Sequence, residues 1–253
     1  MSRFLKKFFL NLYYWPVFAL VTLLGILLLP AIILVNRLFW RRRVAAAMRR
    51  AIRFYGWVLV RLVPFFGPTR LEYIGERPDR PSVFVANHNS AIDPYLFGMI
   101  PIENSFVTSW AFKIPVYQSF MNVAGYANAF EGWDEVCRKG KMLLDAGSSV
   151  TIWPEGHRSR DGSLGRFKNG AFALAVESGV PVVPVCLLGS GRIMAPGEFF
   201  LNPGRVQMLV LPAEYPDISL VGERQKVELK RRVQKVIEKK LHQYGHFEVF
   251  SVP

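Results

Sequence analysis

Cysteine and histidine are scarce in this chain, with two Cys and four His among 253 residues. Cys137 and Cys186 share no Cys-x-x-Cys spacing and the histidines are scattered, so the sequence holds no zinc signature and no metal is expected. A chain of this length buries most of its apolar surface without disulfide staples. Both thiols are therefore expected reduced and buried in a domain facing the cytosol. Acidic residues are also short: 19 Asp+Glu stand against 32 Lys+Arg, for a net charge of +13. The shortage is local, because residues 1–80 carry fourteen Lys+Arg and only three Asp+Glu. Charge of either sign is missing altogether from Phe8 to Asn36. Internal repeats and low-complexity tracts are absent too, which excludes solenoid and linker-like architectures.

A basic surface suits nucleic acid or anionic lipid. Here the cations flank a long apolar run and interleave with Phe, Tyr and Trp, the composition of a membrane interface, so a bilayer is the expected partner and nucleic acid is not. The densest stretch, Val17 to Val35, is broken only by Thr22, Gly25 and Pro30. Its nineteen residues are about enough to cross a ~30 Å hydrocarbon core as a helix. It ends in Arg37 and Arg41-Arg42-Arg43 rather than in small residues at a cleavage site, which argues against a signal peptide. A single span would put the downstream domain on the cytoplasmic side; a bend at Pro30 would let the segment dip and return. Val44 to Phe66 alternates apolar residues with Arg49, Arg50, Arg53 and Arg61 and reads as an amphipathic helix in the interface, or as a surface helix of the soluble domain.

The expected organisation is membrane-associated helices over residues 1–66 (apolar 8–36, amphipathic 44–66), then an α/β domain over 67–253. Strands are expected at 70–74, 82–86, 105–108, 124–129, 150–153, 182–188 and 206–211. Helices are expected near 95–99, 116–123, 133–146, 168–178 and 222–244. This alternation predicts a mixed, mostly parallel sheet flanked by helices, closed by a basic amphipathic helix. Ligands of such sheets sit in loops beyond the carboxyl ends of strands.

Two segments lie at such strand ends. Ser82 to Ala86 runs into Asn87-His-Asn-Ser-Ala-Ile-Asp-Pro94. A histidine there, with a carboxylate five residues on, can form a hydrogen-bonded pair that leaves one ring nitrogen to take a proton. The same letters also spell a helix start, with Asp93 as N-cap and Pro94 at the first position, and a buried histidine beside it. The second segment follows Val150 to Trp153 and reads Pro-Glu-Gly-His-Arg-Ser-Arg-Asp-Gly. Gly156 permits close backbone approach, Arg158 and Arg160 suit a phosphate, and Glu155 can orient Arg158; a solvated surface loop would read similarly. Gly165 to Gly170 adds Arg166 and Lys168 at a helix start.

Taken together these residues resemble the glycerolipid acyltransferase family, which includes the 1-acylglycerol-3-phosphate acyltransferases. Asn87-His88-x4-Asp93 resembles that family's first motif, which implies His88 as base and Asp93 as its partner. Trp153-Pro154-Glu155-Gly156-His157-Arg158-Ser159 resembles its Phe-Pro-Glu-Gly-Thr-Arg-Ser motif, associated with binding the glycerol phosphate acceptor. Phe167-Lys168-x-Gly170 and the Val180 to Pro184 stretch resemble the family's downstream sequence, its fourth motif included. One element departs: the second motif ends on a basic residue, and Gly125-Tyr-Ala-Asn-Ala-Phe-Glu131 has Phe130 and Glu131 there. Lys113, Arg158 or Lys168 is expected to replace it. The resemblance implies acyl transfer from a coenzyme A or carrier-protein thioester to a lysophospholipid hydroxyl, with no metal or redox cofactor. Ser90 and Cys137 are then structural. The competing expectations are another lysolipid acceptor, a non-catalytic lipid-binding protein and, third, a nucleic-acid module.

Overall fold

The computed structural model describes residues 2–40, 43–62 and 69–244. Six strands form one sheet: β1 Thr69–Tyr73, β2 Val83–Ala86, β3 Asn104–Phe106, β4 Ser149–Ile152, β5 Val182–Leu188 and β6 Val206–Val210. Their order is β1-β6-β5-β2-β4-β3, and every neighbouring pair is parallel except β5 with β6. The strands at the centre are buried on both faces and read as unbroken apolar runs, as in β5, where Pro184 stands in register with Val85.

Alternate residues of each strand feed two cores. Phe84, Ala86, Val183, Val185 and Leu187 face one layer; Val83, Val85, Val182, Cys186 and Leu188 face the other. The second layer is covered by α5 Trp133–Asp145, α6 Gly170–Ser178 and α8 Glu223–Gln243. The first is covered by α3 Asp93–Leu96 and by the N-terminal helices α1 Arg3–Val35 and α2 Val44–Leu62. Helix α4 Pro115–Ala124 and the short α7 Ser190–Ile193 complete the set.

Helix α1 runs unbroken through Pro16 and Pro30, without the bend that the dip-and-return alternative places at Pro30. Its segment to Phe39 is long and apolar enough to cross a membrane. One face nevertheless rests on the domain. Leu10 and Tyr14 are buried, Trp15 and Phe18 pack beside them, and Leu29 and Ile33 pack on the cluster containing Met48 and Phe112. The opposite face leaves Leu12, Leu20, Leu23, Leu27 and Leu34 exposed.

Helix α2 packs on the domain along one face. Two of its arginines turn to the domain: Arg49 is buried and bonds Glu103 Oε1 at 2.6 Å and the Ala124 carbonyl at 3.0 Å. Arg53 donates to the Gly98 and Ile100 carbonyls. Phe54 and Trp57, stacked at 5.7 Å, remain exposed. The end of the expected helix, residues 63–66, and the domain boundary at 66/67 lie outside the described residues, as do Arg41 and Arg42.

The strand expected at 124–129 is absent. Gly125, with φ 74°, ends α4 in a left-handed cap, and only a single bridge joins Thr108 to Asn128 before a tight turn begins at Ala129. Both cysteines are free, but only Cys186 is buried; Cys137 is half-buried. Burial, helped by Glu177 and Asp134, pushes the Cys137 thiol up to about 11.

Candidate active site

Strand β2 delivers Asn87 to the middle of the sheet's carboxyl edge. The Asn87 side chain continues the ladder: its Nδ2 donates to the Leu187 carbonyl at 2.9 Å, and its Oδ1 accepts from the Leu187 amide at 2.7 Å. His88 follows, half-buried, with Nδ1 2.8 Å from Asp93 Oδ2. Asp93 is fully buried, and the same oxygen accepts from the Asn89 and Ser90 amides at 2.8 and 2.9 Å. Three donors on one oxygen suit an acceptor-only carboxylate. That acceptor fixes the proton on Nδ1 and leaves Nε2 to receive another. Asp93 does not cap its own helix: Ile92 occupies the N-cap, and the Asp93 side chain turns back to the histidine loop. A helix does start here with Pro94 in its first turn, but Asp93 is not its cap, because the carboxylate turns back to the preceding His88, Asn89 and Ser90 instead. Asp93 Oδ1 is buried without a partner among the described residues.

The second loop braces the first. Glu155 is buried and accepts from the His88 amide at 2.9 Å and from the Gly165 amide at 2.8 Å. It does not orient Arg158. Burial raises the Glu155 carboxyl above its ordinary range, and the backbone bonds from Gly165 and His88 temper the rise. The Ser159 amide donates to the His88 carbonyl at 2.7 Å, and the Lys168 amide donates to the Pro154 carbonyl at 2.9 Å. Trp153 stacks on the imidazole, with centroids 4.8 Å apart and planes at 28°. His88 is thus held at backbone and ring by residues sixty-five or more positions away. Sequence reading placed these residues in one motif but gave no signal that their target is the first motif itself.

Two cations stand on the segment that braces the histidine loop. Arg158 is half-buried and Lys168 exposed, and neither side chain makes a hydrogen bond or ion pair with any described residue. Gly156 has φ 78°, and a Cβ there would fall 2.6 Å from Lys168 Nζ, so glycine keeps room for that ammonium. Lys113 lies 4.9 Å above the Phe130 ring. The cation therefore reaches the place where the sequence departs from the second motif. No cluster of three or more metal-ligating side chains occurs among the described residues.

Against Trp153, the ring stacked on the imidazole, opens a cavity of about 1110 Å³ between α1, α2 and α4. Trp153 is part of its wall, with Gly25, Phe106 and Tyr95. A hydroxyl pair interrupts the apolar lining, where Thr22 Oγ1 and Tyr55 Oη are 2.7 Å apart. Burial raises the Tyr55 phenol, so it stays a neutral donor. Sequence reading missed this space because its walls come from segments far apart in the chain.

Residues 69–188 match the Acyltransferase family model. A chloroplastic 1-acyl-sn-glycerol-3-phosphate acyltransferase of Brassica napus is 38% identical over 162 residues, covering 61% of this chain and 47% of that protein. One of Chlamydomonas reinhardtii is 34% identical over 175 residues, 64% of this chain and 51% of that protein. The chain spans about half the length of these curated relatives. The crystal structure of the 1-acyl-sn-glycerophosphate acyltransferase of Thermotoga maritima superposes with a TM-score of 0.75 at 22% identity, over 96% of this chain and 98% of that one, so the fold is shared nearly end to end. Residues 69–188, just under half of the chain, thus match the Acyltransferase family, and the relatives similar to that region carry the name 1-acyl-sn-glycerol-3-phosphate acyltransferase.

Proposed function

We propose that the chain moves a fatty acyl group from a thioester to the free hydroxyl of a lysophospholipid, with 1-acylglycerol-3-phosphate as the acceptor. The observation that carries the reading is the 2.8 Å bond between His88 Nδ1 and buried Asp93, which readies Nε2 as a base. His88 Nε2 takes the hydroxyl proton as the oxygen bonds to the thioester carbonyl carbon. The tetrahedral intermediate then expels the thiolate, and the imidazolium returns the proton to it. General-base help of this kind contributes roughly 10²–10⁴-fold. A thiol of pKa ~8.5 leaves readily, so neither an enzyme nucleophile nor a cofactor is required by the chemistry. Asp93 steadies the imidazolium, and Glu155 and Ser159 fix its backbone.

Arg158, Lys168 and Lys113 supply the positive rim for the acceptor phosphate, and the apolar cavity takes an acyl chain. The names of the relatives support the phosphate acceptor. The donor is a coenzyme A or carrier-protein thioester. Substrate and product both live in bilayer, and α1 fits a monotopic seat: a helix resting on the domain along one face presents the other to one leaflet, with the domain on the cytoplasmic side. Three measurements test the reading. His88→Ala abolishes thioester-dependent acylation of lysolipid; survival at the wild-type rate overturns the mechanism. A lysolipid panel with one donor shows strongest turnover of 1-acylglycerol-3-phosphate; preference for an uncharged or zwitterionic headgroup overturns the acceptor. Replacing the exposed Leu20, Leu23 and Leu27 of α1 together by Ser weakens pelleting of the full chain with vesicles; unchanged pelleting overturns the membrane seat.

A further inference from the structure

The loop Met194 to Leu201 is tied at both ends to elements already described. Ser90 Oγ, in the histidine loop, donates to the Met194 carbonyl at 2.7 Å, and Ser90 is fully buried. At the other end Asn11 of α1 grips Leu201 twice, donating to its carbonyl at 2.8 Å and accepting from its amide at 2.9 Å. Leu201, Leu10 and Tyr14 lie in one core cluster with Ile193 and Met194. Between these anchors the loop turns at Gly197, with φ 89°, and projects two consecutive phenylalanines. Phe199 is 64% exposed and Phe200 56% exposed, so two large rings stand in the open on a loop whose frame is rigid.

Phe199 lies flat on Trp15 of α1, with centroids 4.4 Å apart and planes at 6°, and Phe200 meets Phe199 edge-on at 5.7 Å. The pair therefore continues the exposed apolar face of α1, where Phe4, Phe8 and Leu12 are also exposed. Arg3, Lys6 and Lys7 stand at the same end of the helix. The one acid of the loop, Glu198, is engaged by Asn202 Nδ2 at 2.8 Å. Aromatic rings beside cations make the composition of a membrane–water interface rather than of an aqueous surface.

We propose that Phe199 and Phe200 form a second bilayer contact, separate in sequence from α1 and α2, which sets the depth and tilt of the domain on the membrane. The occupant is an anionic lipid surface. The bond from Ser90 to the loop then joins the histidine loop directly to a point fixed at the headgroup plane. The inference rests on the monotopic seat proposed for α1.

The test uses the full chain and vesicles of phosphatidylethanolamine and phosphatidylglycerol. An environment-sensitive fluorophore is placed at Phe200→Cys in a Cys137→Ser background, buried Cys186 being out of reach. Vesicles are expected to shift its emission to the blue. Phe200→Ser is expected to weaken vesicle binding about tenfold, the scale of withdrawing one phenyl ring from an apolar phase, whereas Phe200→Leu binds within about threefold of wild type. Acylation of lysolipid embedded in vesicles falls with binding in Phe200→Ser, while turnover of a monomeric short-chain lysolipid stays at the wild-type rate. A silent label and unchanged binding by Phe200→Ser, with wild type still bound, overturn the loop contact and leave the α1 seat standing. Failure of the wild-type chain to bind overturns both. A blue shift that grows with protein concentration without lipid assigns the surface to a second copy of the chain and overturns the proposal.

Discussion

Asp93→Asn separates the geometry of the histidine pair from its charge. The amide oxygen can occupy the position of Oδ2 and keep the bonds from the Asn89 and Ser90 amides, now at 2.8 and 2.9 Å, and from His88 Nδ1. The amide nitrogen then falls where Oδ1 is buried without a partner. What disappears is the negative charge facing the imidazolium as it forms. Two unit charges about 4 Å apart at an effective dielectric of ~20 attract by about 4 kcal/mol. Asp93 is fully buried and His88 only half-open, so little of this is lost to solvent. At ~1.4 kcal/mol per factor of ten, kcat is expected to fall about a thousandfold. Stability is expected to fall by about 1–3 kcal/mol, from a buried amide nitrogen without an acceptor. The assay is single-turnover acylation of lysolipid, read beside the thermal midpoint. A kcat within tenfold of wild type, in a protein that melts normally, refutes a role for the Asp93 charge. A collapse of the fold without residual folded enzyme refutes the claim that the amide preserves the loop.

Glu155→Gln points an amide nitrogen at either the His88 or the Gly165 amide, and about 1–3 kcal/mol of stability is expected to go with the lost bond. The pH dependence has a definite sign. The folded carboxyl holds its proton above the ordinary range, so just above pH ~4.5 the folded state binds more protons and stability declines as pH rises. Denaturant titrations across pH 4 to 8 should show this decline in wild type and its loss in Glu155→Gln; identical slopes count against it. Gly98→Ala builds a methyl 2.4 Å from the Trp57 amide and 2.7 Å from the Arg53 carbonyl, both backbone atoms of α2 that cannot turn aside. A cost of about 1–3 kcal/mol is expected, visible as a lower thermal midpoint, and an unchanged midpoint would show that α2 seats loosely. Arg158→Ala and Lys113→Ala should each raise the KM for a phosphate-bearing acceptor about tenfold, with kcat less affected, on the scale of one charge-assisted contact. Equal KM changes for a neutral acceptor would remove the phosphate from the explanation.

The sheet was readable because its central strands are unbroken apolar runs ending in polar loops, as at Val83 to Ala86 and Val182 to Leu188. The histidine pair was readable as spacing, but the spacing fitted a capped helix equally well. The choice between the two depended on the Asn89 and Ser90 amides and on Glu155, sixty-seven residues from the amide it holds. Periodicity failed for the arginines of α2 for the same reason. A helix with arginines at intervals shows which side is basic, not what the basic side meets. Glu103, which meets Arg49 and Arg50, lies beyond the window of any local pattern. At Gly125 the failure was local: apolar residues on both sides suggested a strand, and one left-handed glycine ended a helix instead.

The position of α1 makes the N-terminal helices part of the site, on the seat proposed above, rather than its tether. A helix that crosses a bilayer must be free of the water-soluble domain over its ~30 Å of hydrocarbon-facing length. Here Leu10 and Tyr14 touch the domain near one end of α1 and Leu29 and Ile33 touch it near the other. The nineteen residues between Leu10 and Leu29 correspond to about 28 Å of helix, nearly the whole hydrocarbon thickness, and Val21, Thr22 and Gly25 within that stretch line the cavity. Standing across the bilayer would strip α1 from the cavity wall beside Trp153, which is what favours the proposed monotopic seat. On the proposed seat, a helix lying flat would keep Thr22 against Tyr55, leave Leu20, Leu23 and Leu27 to the lipid, and set the apolar cavity between leaflet and Trp153. A chain leaving the bilayer along that face would stay out of water up to the ring stacked on His88.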